Sequence, residues 1–165
     1  MKVVSNASPL ITLARTGYLD RLPHLFDSVL ISNEVHREIV VDGAGMPGAS
    51  AISATPWIRV STLPDNAALA DSIAATGLGA GETSTVLLAT HLGAELVLMD
   101  ERKGRRFAKR QGLRVAGCVG LLEQLFRKGH IPSLRDAYRK LLDQEMRIDR
   151  ATLRASLLHF GLPDL

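Results

Sequence analysis

Short apolar runs alternate with longer amphipathic stretches along most of the chain. The apolar runs predict buried strands at Val3-Val4, Val29–Ile31 and Leu96–Met99, and further strands at Trp57–Val60 and Leu113–Val115. The amphipathic stretches predict helices at Leu19–Phe26, Ala67–Ala75, Arg102–Gln111, Val119–Lys128, Leu134–Glu145 and Ala151–Leu158. Strands that alternate with helices are typical of the α/β class, so we predict a three-layer sandwich in which helices flank a central, mostly parallel sheet.

Two further helices are predicted from the residues that begin and end them. Ser8 can cap the first, and Pro9 suits its first turn because proline has no N–H to leave unpaired. Gly17 ends this helix. Ser32 or Asn33 can cap the second, which directly follows a predicted strand.

Length and composition place the chain among globular proteins. Its 165 residues, 46% hydrophobic and 22% charged, predict one domain over residues 1–165, with a less distinctive helical tail at 132–165. The single cysteine, Cys118, excludes an internal disulfide and a multi-cysteine zinc site, and we expect it to be a small buried residue. The first residues do not form a signal peptide and no apolar run is long enough to cross a membrane, so we expect a cytoplasmic protein.

Four polar side chains fall where open α/β sheets place their sites. Asn6 follows the first predicted strand, and Asp100 follows the strand Leu96–Met99. Glu38 lies on the helix after the second strand, and Glu82 opens a helix after a glycine-rich break. The carboxyl ends of parallel strands share one edge of the sheet, where ligands bind.

Carboxylates that converge at this edge repel one another, by roughly 3 kcal/mol for a pair ~5 Å apart at an effective dielectric near 20. A divalent cation such as Mg²⁺ relieves this repulsion and can act on a phosphate. Each residue also has a purely structural alternative. Glu82 can favour the helix dipole, Asp100 and Asn6 can be turn residues, and Glu38 can be a solvated helix position.

The most basic part of the chain comes directly after Asp100. Seven cations occupy 13 residues that contain no acid: Arg102, Lys103, Arg105, Arg106, Lys109, Arg110 and Arg114. Helical spacing places Arg102, Arg105, Arg106 and Lys109 on one face, which a nucleic-acid backbone would suit. A solvated face balanced by acids elsewhere is the alternative.

Other patterns exclude several kinds of site. Gly77, Gly79 and Gly81 do not form a P-loop or a dinucleotide fingerprint, so we interpret them as a hinge that lets Glu82 cap its helix. No two of the five histidines have a metal-ligand spacing, and no nucleophile elbow is present. These observations disfavour a zinc enzyme and a serine hydrolase.

Three segments together resemble one branch of the PIN-domain family, close to the toxin nucleases of prokaryotic toxin–antitoxin pairs. They are Val4-Ser5-Asn6-Ala7-Ser8-Pro9-Leu10-Ile11, Gly81-Glu82-Thr83-Ser84 and Leu98-Met99-Asp100-Glu101-Arg102-Lys103-Gly104-Arg105-Arg106. Similar matches follow at Leu113–Gly117 and Gly120–Leu122, so that the resemblance covers about Val3 to Ile131. It implies a Mg²⁺- or Mn²⁺-dependent endoribonuclease that acts on RNA, binds an antitoxin protein and forms a homodimer.

The resemblance also implies which residues act. Asn6, Glu38, Glu82 and Asp100 match the catalytic positions, and Glu101 is a neighbour that can substitute or assist. Glu38, Glu82 and Asp100 would hold the metal, while Arg102, Lys103, Arg105, Arg106 and Lys109 would bind RNA. Most PIN nucleases have aspartate where this chain has Asn6. An uncharged amide there leaves a second interpretation open, a weakly active or inactive module that binds RNA or an antitoxin.

Overall fold

The computed structural model describes residues 1–144 and 148–165 and contains a five-stranded sheet. Its strands are β1 (Val3–Ser5), β2 (Val29–Ile31), β3 (Ile58–Val60), β4 (Leu96–Leu98) and β5 (Val115–Ala116). They lie in the order β3-β2-β1-β4-β5, and every neighbouring pair is parallel. All the predicted strands are therefore present, although β5 begins two residues later than predicted.

Helices connect and cover the strands. They are α1 (Ala7–Thr16), α2 (Asn33–His36), α3 (Ala49–Ser53), α4 (Asn66–Thr76), α5 (Ala80–Leu92), α6 (Arg102–Arg110), α7 (Cys118–Arg127), α8 (Leu134–Asp143) and α9 (Arg150–His159). α2 continues as a π-helical segment, Arg37–Asp42. The five residues of α3, too few to show a helical period, were not predicted. The predicted end of α8, Glu145, lies outside the described residues.

Two helix boundaries differ from the prediction. α1 begins at Ala7, so Asn6 rather than Ser8 occupies the capping position, in an extended conformation. The predicted helix Leu19–Phe26 is a 3-10 helix over Leu19–His24 that contains Pro23. A proline there cannot donate the hydrogen bond that an α-helix requires.

Two cap predictions, those for Ser32 and Gly17, are confirmed. The hydroxyl of Ser32 accepts a hydrogen bond from the Val35 amide at 3.1 Å, which fixes the start of α2. Gly17 ends α1 with a φ of 80°, a conformation that glycine adopts without steric cost.

Alternate strand residues bury their side chains on opposite faces of the sheet. Leu98 belongs to a core that includes residues of α1, α7, α8 and α9, whereas Val97 belongs to a second core with residues of α4, α5 and α6. Two apolar cores on the two faces of a parallel sheet confirm the predicted α/β three-layer sandwich.

The C-terminal helices contribute to the first core. Leu134 and Tyr138 of α8, and Leu153 of α9, are fully buried in it. Among the described residues, no helix combines the length and the apolar character needed to span a membrane.

Candidate active site

The candidate site lies at the carboxyl edge of the sheet, between β1 and β4. Chain order reverses there, because β2 and β3 lie on one side of β1 while β4 and β5 lie on the other. Asn6 directly follows β1, and its backbone N–H donates to the Leu98 carbonyl of β4 at 2.9 Å. In open α/β sheets, ligands usually bind at such a reversal of strand order.

Asn6 lies at this edge with an unsatisfied side-chain oxygen. The residue is only 5% exposed, and its side chain does not cap α1. Within the described residues its Oδ1 atom is buried and has no hydrogen-bond partner. A buried acceptor without a partner costs about 1–3 kcal/mol, so a ligand that supplied the missing contact would recover this energy.

Glu38 and Asn6 approach the same point in space. A Cβ atom built on Gly81 would lie 2.6 Å from Glu38 Oε2 and 3.3 Å from Asn6 Oδ1. Although Glu38 is exposed as a whole, the tip of its side chain therefore reaches over the first turn of α5. The two oxygens converge only because position 81 has no side chain.

Glu82 lies beside these groups in the first turn of α5. Partial burial raises the pKa of Glu82, and the negative charges of Glu101 and Glu38 raise it further. Partial burial also raises the pKa of Glu38, with a smaller effect from Asp42. Neither Glu38 nor Glu82 forms an ion pair with any described residue. The result is a group of carboxylates that no cation of the described residues compensates with an ion pair.

The side chain of Asp100 is turned toward α7. Its Oδ1 accepts from the Cys118 amide at 2.7 Å, and its Oδ2 accepts from the Cys118 thiol at 3.0 Å. Burial and the Asp100 charge raise the pKa of Cys118 well above its ordinary value, so the sulfur remains a thiol and a donor. As predicted, Cys118 is buried.

The structure thus brings Asn6, Glu38 and Glu82 together and places Asp100 beside Cys118. Glu101, rather than Asp100, is the largest charged influence on the pKa of Glu82. Among the described residues, no three His, Cys, Asp or Glu side chains are grouped so that they hold a metal ion. The metal-binding roles of Glu38, Glu82 and Asp100 remain predictions.

The basic helix borders a cavity of about 730 Å³ next to Asp100. Arg102, Arg105, Arg106 and Lys109 all line it, as their three- and four-residue spacing predicts. Lys103 does not line the cavity. Arg105 donates through Nη1 to the Met99 carbonyl at 2.8 Å, which holds its guanidinium near Asp100.

A family model for the PIN domain matches residues 2–161. The chain belongs to the PIN-domain family. The match includes all five strands and extends past Ile131, where the resemblance was predicted to weaken, through the last residue of α9. No curated protein matches the chain.

Two features of this PIN domain were not predicted. The prediction that the glycines let Glu82 cap its helix is wrong, because Gly79 is the capping residue and α5 begins at Ala80. Gly81 instead leaves space for the Glu38 carboxylate. The bond between Cys118 and Asp100 joins residues 18 positions apart. Only the proximity of Gly81 to Glu82 in sequence indicated the first feature, and no local pattern indicated the second.

Proposed function

We propose that this PIN-domain protein is a divalent-metal-dependent endoribonuclease that hydrolyses RNA phosphodiester bonds in the cytoplasm as the toxin of a toxin–antitoxin pair. The observation that carries the proposal is the pairing of uncompensated acids at the sheet edge with a basic helix next to them. RNA hydrolysis by a metal ion needs both, oxygen ligands for the ion and cations for the phosphate backbone.

The residues at the edge fit a hydrated Mg²⁺ or Mn²⁺ ion. Carboxylate and amide oxygens are hard ligands, and Mg²⁺ usually keeps several waters while binding one or two carboxylates. Glu38 and Glu82 supply the charge, and the partnerless oxygen of Asn6 supplies a neutral acceptor. When bound, the ion would polarise a phosphoryl oxygen and stabilise the charge that develops on it.

The chain's own groups have separate roles in this proposal. Glu38, Glu82 and Asp100 hold the ion, and Asn6 orients a water or the phosphate. Arg105 keeps free guanidinium donors beyond the one used by Met99, because arginine has five N–H groups. Arg105 and Arg106 therefore bind the RNA backbone from the cavity side.

Two substitutions of Asp100 test the assignment. Asp100→Ala removes the charge and the acceptor of the Cys118 amide, whereas Asp100→Asn keeps an acceptor oxygen and removes only the charge. We expect both variants to lose Mn²⁺-dependent RNA cleavage and to bind Mn²⁺ about tenfold or more weakly, measured by titration calorimetry. Asp71→Ala, in the exposed part of α4, is the control. Unchanged cleavage in both Asp100 variants would remove Asp100 from the site.

Asn6 favours a second candidate function, a PIN domain that binds RNA or an antitoxin without cutting. Replacing a carboxylate by an amide weakens metal binding by about 1–3 kcal/mol. The loss is this small because the Coulomb attraction of a carboxylate to the ion is largely offset by the cost of desolvating that carboxylate. If Asn6 has disabled the site, Asn6→Asp should create divalent-dependent cleavage where the natural protein has none. Equal cleavage by both forms would reject this candidate.

The proposed toxin role includes two protein partners, an antitoxin and a second copy of the chain. Both follow from the resemblance to the toxin branch. Light scattering at micromolar concentration tests the homodimer, and a monomer mass under those conditions would exclude it. Co-expression with a small protein encoded next to this chain, followed by loss of cleavage, tests the antitoxin.

A further inference from the structure

The cavity beside Asp100 has walls from three separate parts of the chain. One wall is the basic face of α6, and a second is the first turn of α7 at Gly117–Gly120. The third comes from the C-terminal segment, through Ile148, Asp149 and Thr152. The volume of about 730 Å³ is within the usual range of small-molecule sites, roughly 300–1,000 Å³.

The charges that line the cavity do not balance. Among the described residues that line the cavity, four cations, Arg102, Arg105, Arg106 and Lys109, face two carboxylates, which leaves two positive charges in excess. In the part of the chain that the structure describes, none of the four cations forms an ion pair. Arg102, Arg106 and Lys109 are exposed and Arg105 is half-buried, so the cavity offers an anionic ligand four cations that are not paired with an acid.

The two carboxylates are already engaged. Both oxygens of Asp100 accept from Cys118. Asp149 caps α9, because its Oδ1 accepts from the Ala151 amide at 3.0 Å and its Oδ2 from the Thr152 hydroxyl at 3.1 Å. Among the described residues, neither acid forms an ion pair with the basic wall.

Helix geometry explains why the two carboxylates lie at the cavity wall. α7 and α9, each ten residues long, both begin at the wall of the cavity. The N-terminus of a helix carries a partial positive charge and attracts anions. Asp100 and Asp149 already accept from these two termini, so the basic face of α6 is the described part of the wall whose charge has no ion-pair partner.

We infer that this cavity binds a terminal phosphate, the phosphomonoester at the end of an RNA strand. A phosphomonoester carries nearly two negative charges at neutral pH and matches the two excess positive charges, whereas an internal phosphodiester carries one. The inference rests on the proposed function only in taking RNA as the source of the phosphate. It adds that the C-terminal helix α9 is part of the RNA site and that the enzyme distinguishes phosphorylated from hydroxyl ends.

The test compares short RNAs of one sequence that carry a phosphate at the 5′ end, at the 3′ end, or at neither. Affinity is measured by fluorescence anisotropy in the presence of EDTA, so that no cleavage is needed. We expect one phosphorylated RNA to bind about tenfold or more tightly than the RNA with hydroxyl ends, as charge-assisted contacts to an additional charge predict. Free AMP is the fourth probe, and tight binding of AMP would support the site and identify a mononucleotide as its source of phosphate.

Two variants and a matched control locate the effect. Arg106→Glu reverses one charge in the cavity, and Arg110→Glu makes the same change on α6 outside it. Thr152→Glu places an acid on the α9 wall at a position where glutamate suits the first turn of a helix. We expect Arg106→Glu and Thr152→Glu to abolish the preference for the phosphorylated RNA, and Arg110→Glu to keep it.

Equal affinity for phosphorylated and hydroxyl RNA, with no binding of AMP, would overturn the inference. An equal loss of preference in Arg106→Glu and Arg110→Glu would also overturn it, because diffuse attraction to the helix would then explain binding. The outcome is separable from the proposed function. Phosphate preference in a protein that cleaves no RNA would keep the site and reject the nuclease, whereas cleavage without preference would do the reverse.

Discussion

At position 81, a missing side chain decides whether two oxygen atoms can meet. Glu38 Oε2 and Asn6 Oδ1 both lie within 3.3 Å of the point that a Cβ atom on Gly81 would occupy. Glu38 belongs to a helix that follows β2 and Asn6 follows β1, so no local pattern reports their convergence. The sequence predicted both as site residues, but the role of Gly81 depends on how α5 lies against α2.

Gly81→Ala should weaken metal binding without unfolding the protein. The added methyl group meets the tip of a flexible, exposed glutamate, which can swing away at little cost. It also lies 3.3 Å from the buried Asn6 Oδ1, which needs to give only slightly. We therefore expect the free energy of unfolding to change by about 1 kcal/mol or less, while Mn²⁺ affinity falls about tenfold. Titration calorimetry and thermal unfolding measure the two effects.

Gly79→Ala is the matched control, because a Cβ atom at Gly79 meets no atom within 4 Å and its φ of −66° suits alanine. It should leave Mn²⁺ affinity unchanged, although alanine is a poorer capping residue than glycine. If both variants bind Mn²⁺ like the natural protein, Glu38 does not contribute to the ion site.

At the scale of elements, a buried hydrogen-bond chain joins the three last helices. Ser156 of α9 donates to Glu123 Oε1 of α7 at 2.6 Å, so the Tyr138 hydroxyl of α8, 2.6 Å from Ser156, donates to the serine. Burial raises the pKa of Tyr138 to about 12, which keeps this donor protonated. These hydrogen bonds orient α9, whose first turn forms one wall of the basic cavity.

Ser156→Ala should destabilise the protein more than Tyr138→Phe. Removing the serine leaves two polar groups without their partner, at about 1–3 kcal/mol, whereas Tyr138→Phe leaves the bond between Ser156 and Glu123 intact and costs about 0.5–1.5 kcal/mol. Urea unfolding of both variants gives the comparison. A larger loss of stability in Tyr138→Phe than in Ser156→Ala would show that Ser156 is not the central residue of these hydrogen bonds.

For the whole molecule, the carboxyl edge of the sheet accumulates negative charge beside the basic cavity. Raised pKa values of Glu38 and Glu82 mean that the folded protein binds protons there more tightly than the unfolded chain. Their contribution to the free energy of unfolding is therefore present below the ordinary pKa of 4.5 and is lost as pH rises through the raised values.

A divalent ion should reverse this loss, because it favours the ionised carboxylates. At a hundredfold excess over its Kd, Mn²⁺ should raise the free energy of unfolding by about 2.7 kcal/mol at pH 7, and by much less near pH 4.5. Glu82→Gln should stabilise the ion-free protein at pH 7 and reduce the effect of Mn²⁺. The control is Glu95→Gln, at an exposed position before β4. An effect of Mn²⁺ that is equal at both pH values would argue against the acidic site.

The same unfolding experiments test a proposal about the whole chain, that residues 1–165 fold as one domain. α8 and α9 share a core with α1 and α7, so their unfolding should coincide with that of the sheet. Fluorescence of Trp57, next to β3, and far-ultraviolet circular dichroism should then give the same transition.

Local patterns in the sequence determined the alternation of strands and helices and the basic face of α6. They also determined that Asn6 and Asp100 lie at the same edge of the sheet. These features depend on residues a few positions apart, where periodicity and caps carry the information. Only the tertiary structure decided that Glu38 meets Asn6 over Gly81, that Asp100 binds Cys118, and that α9 closes the basic cavity. Such contacts join segments that are distant in sequence, and they depend on strand order and on the packing of helices against the sheet.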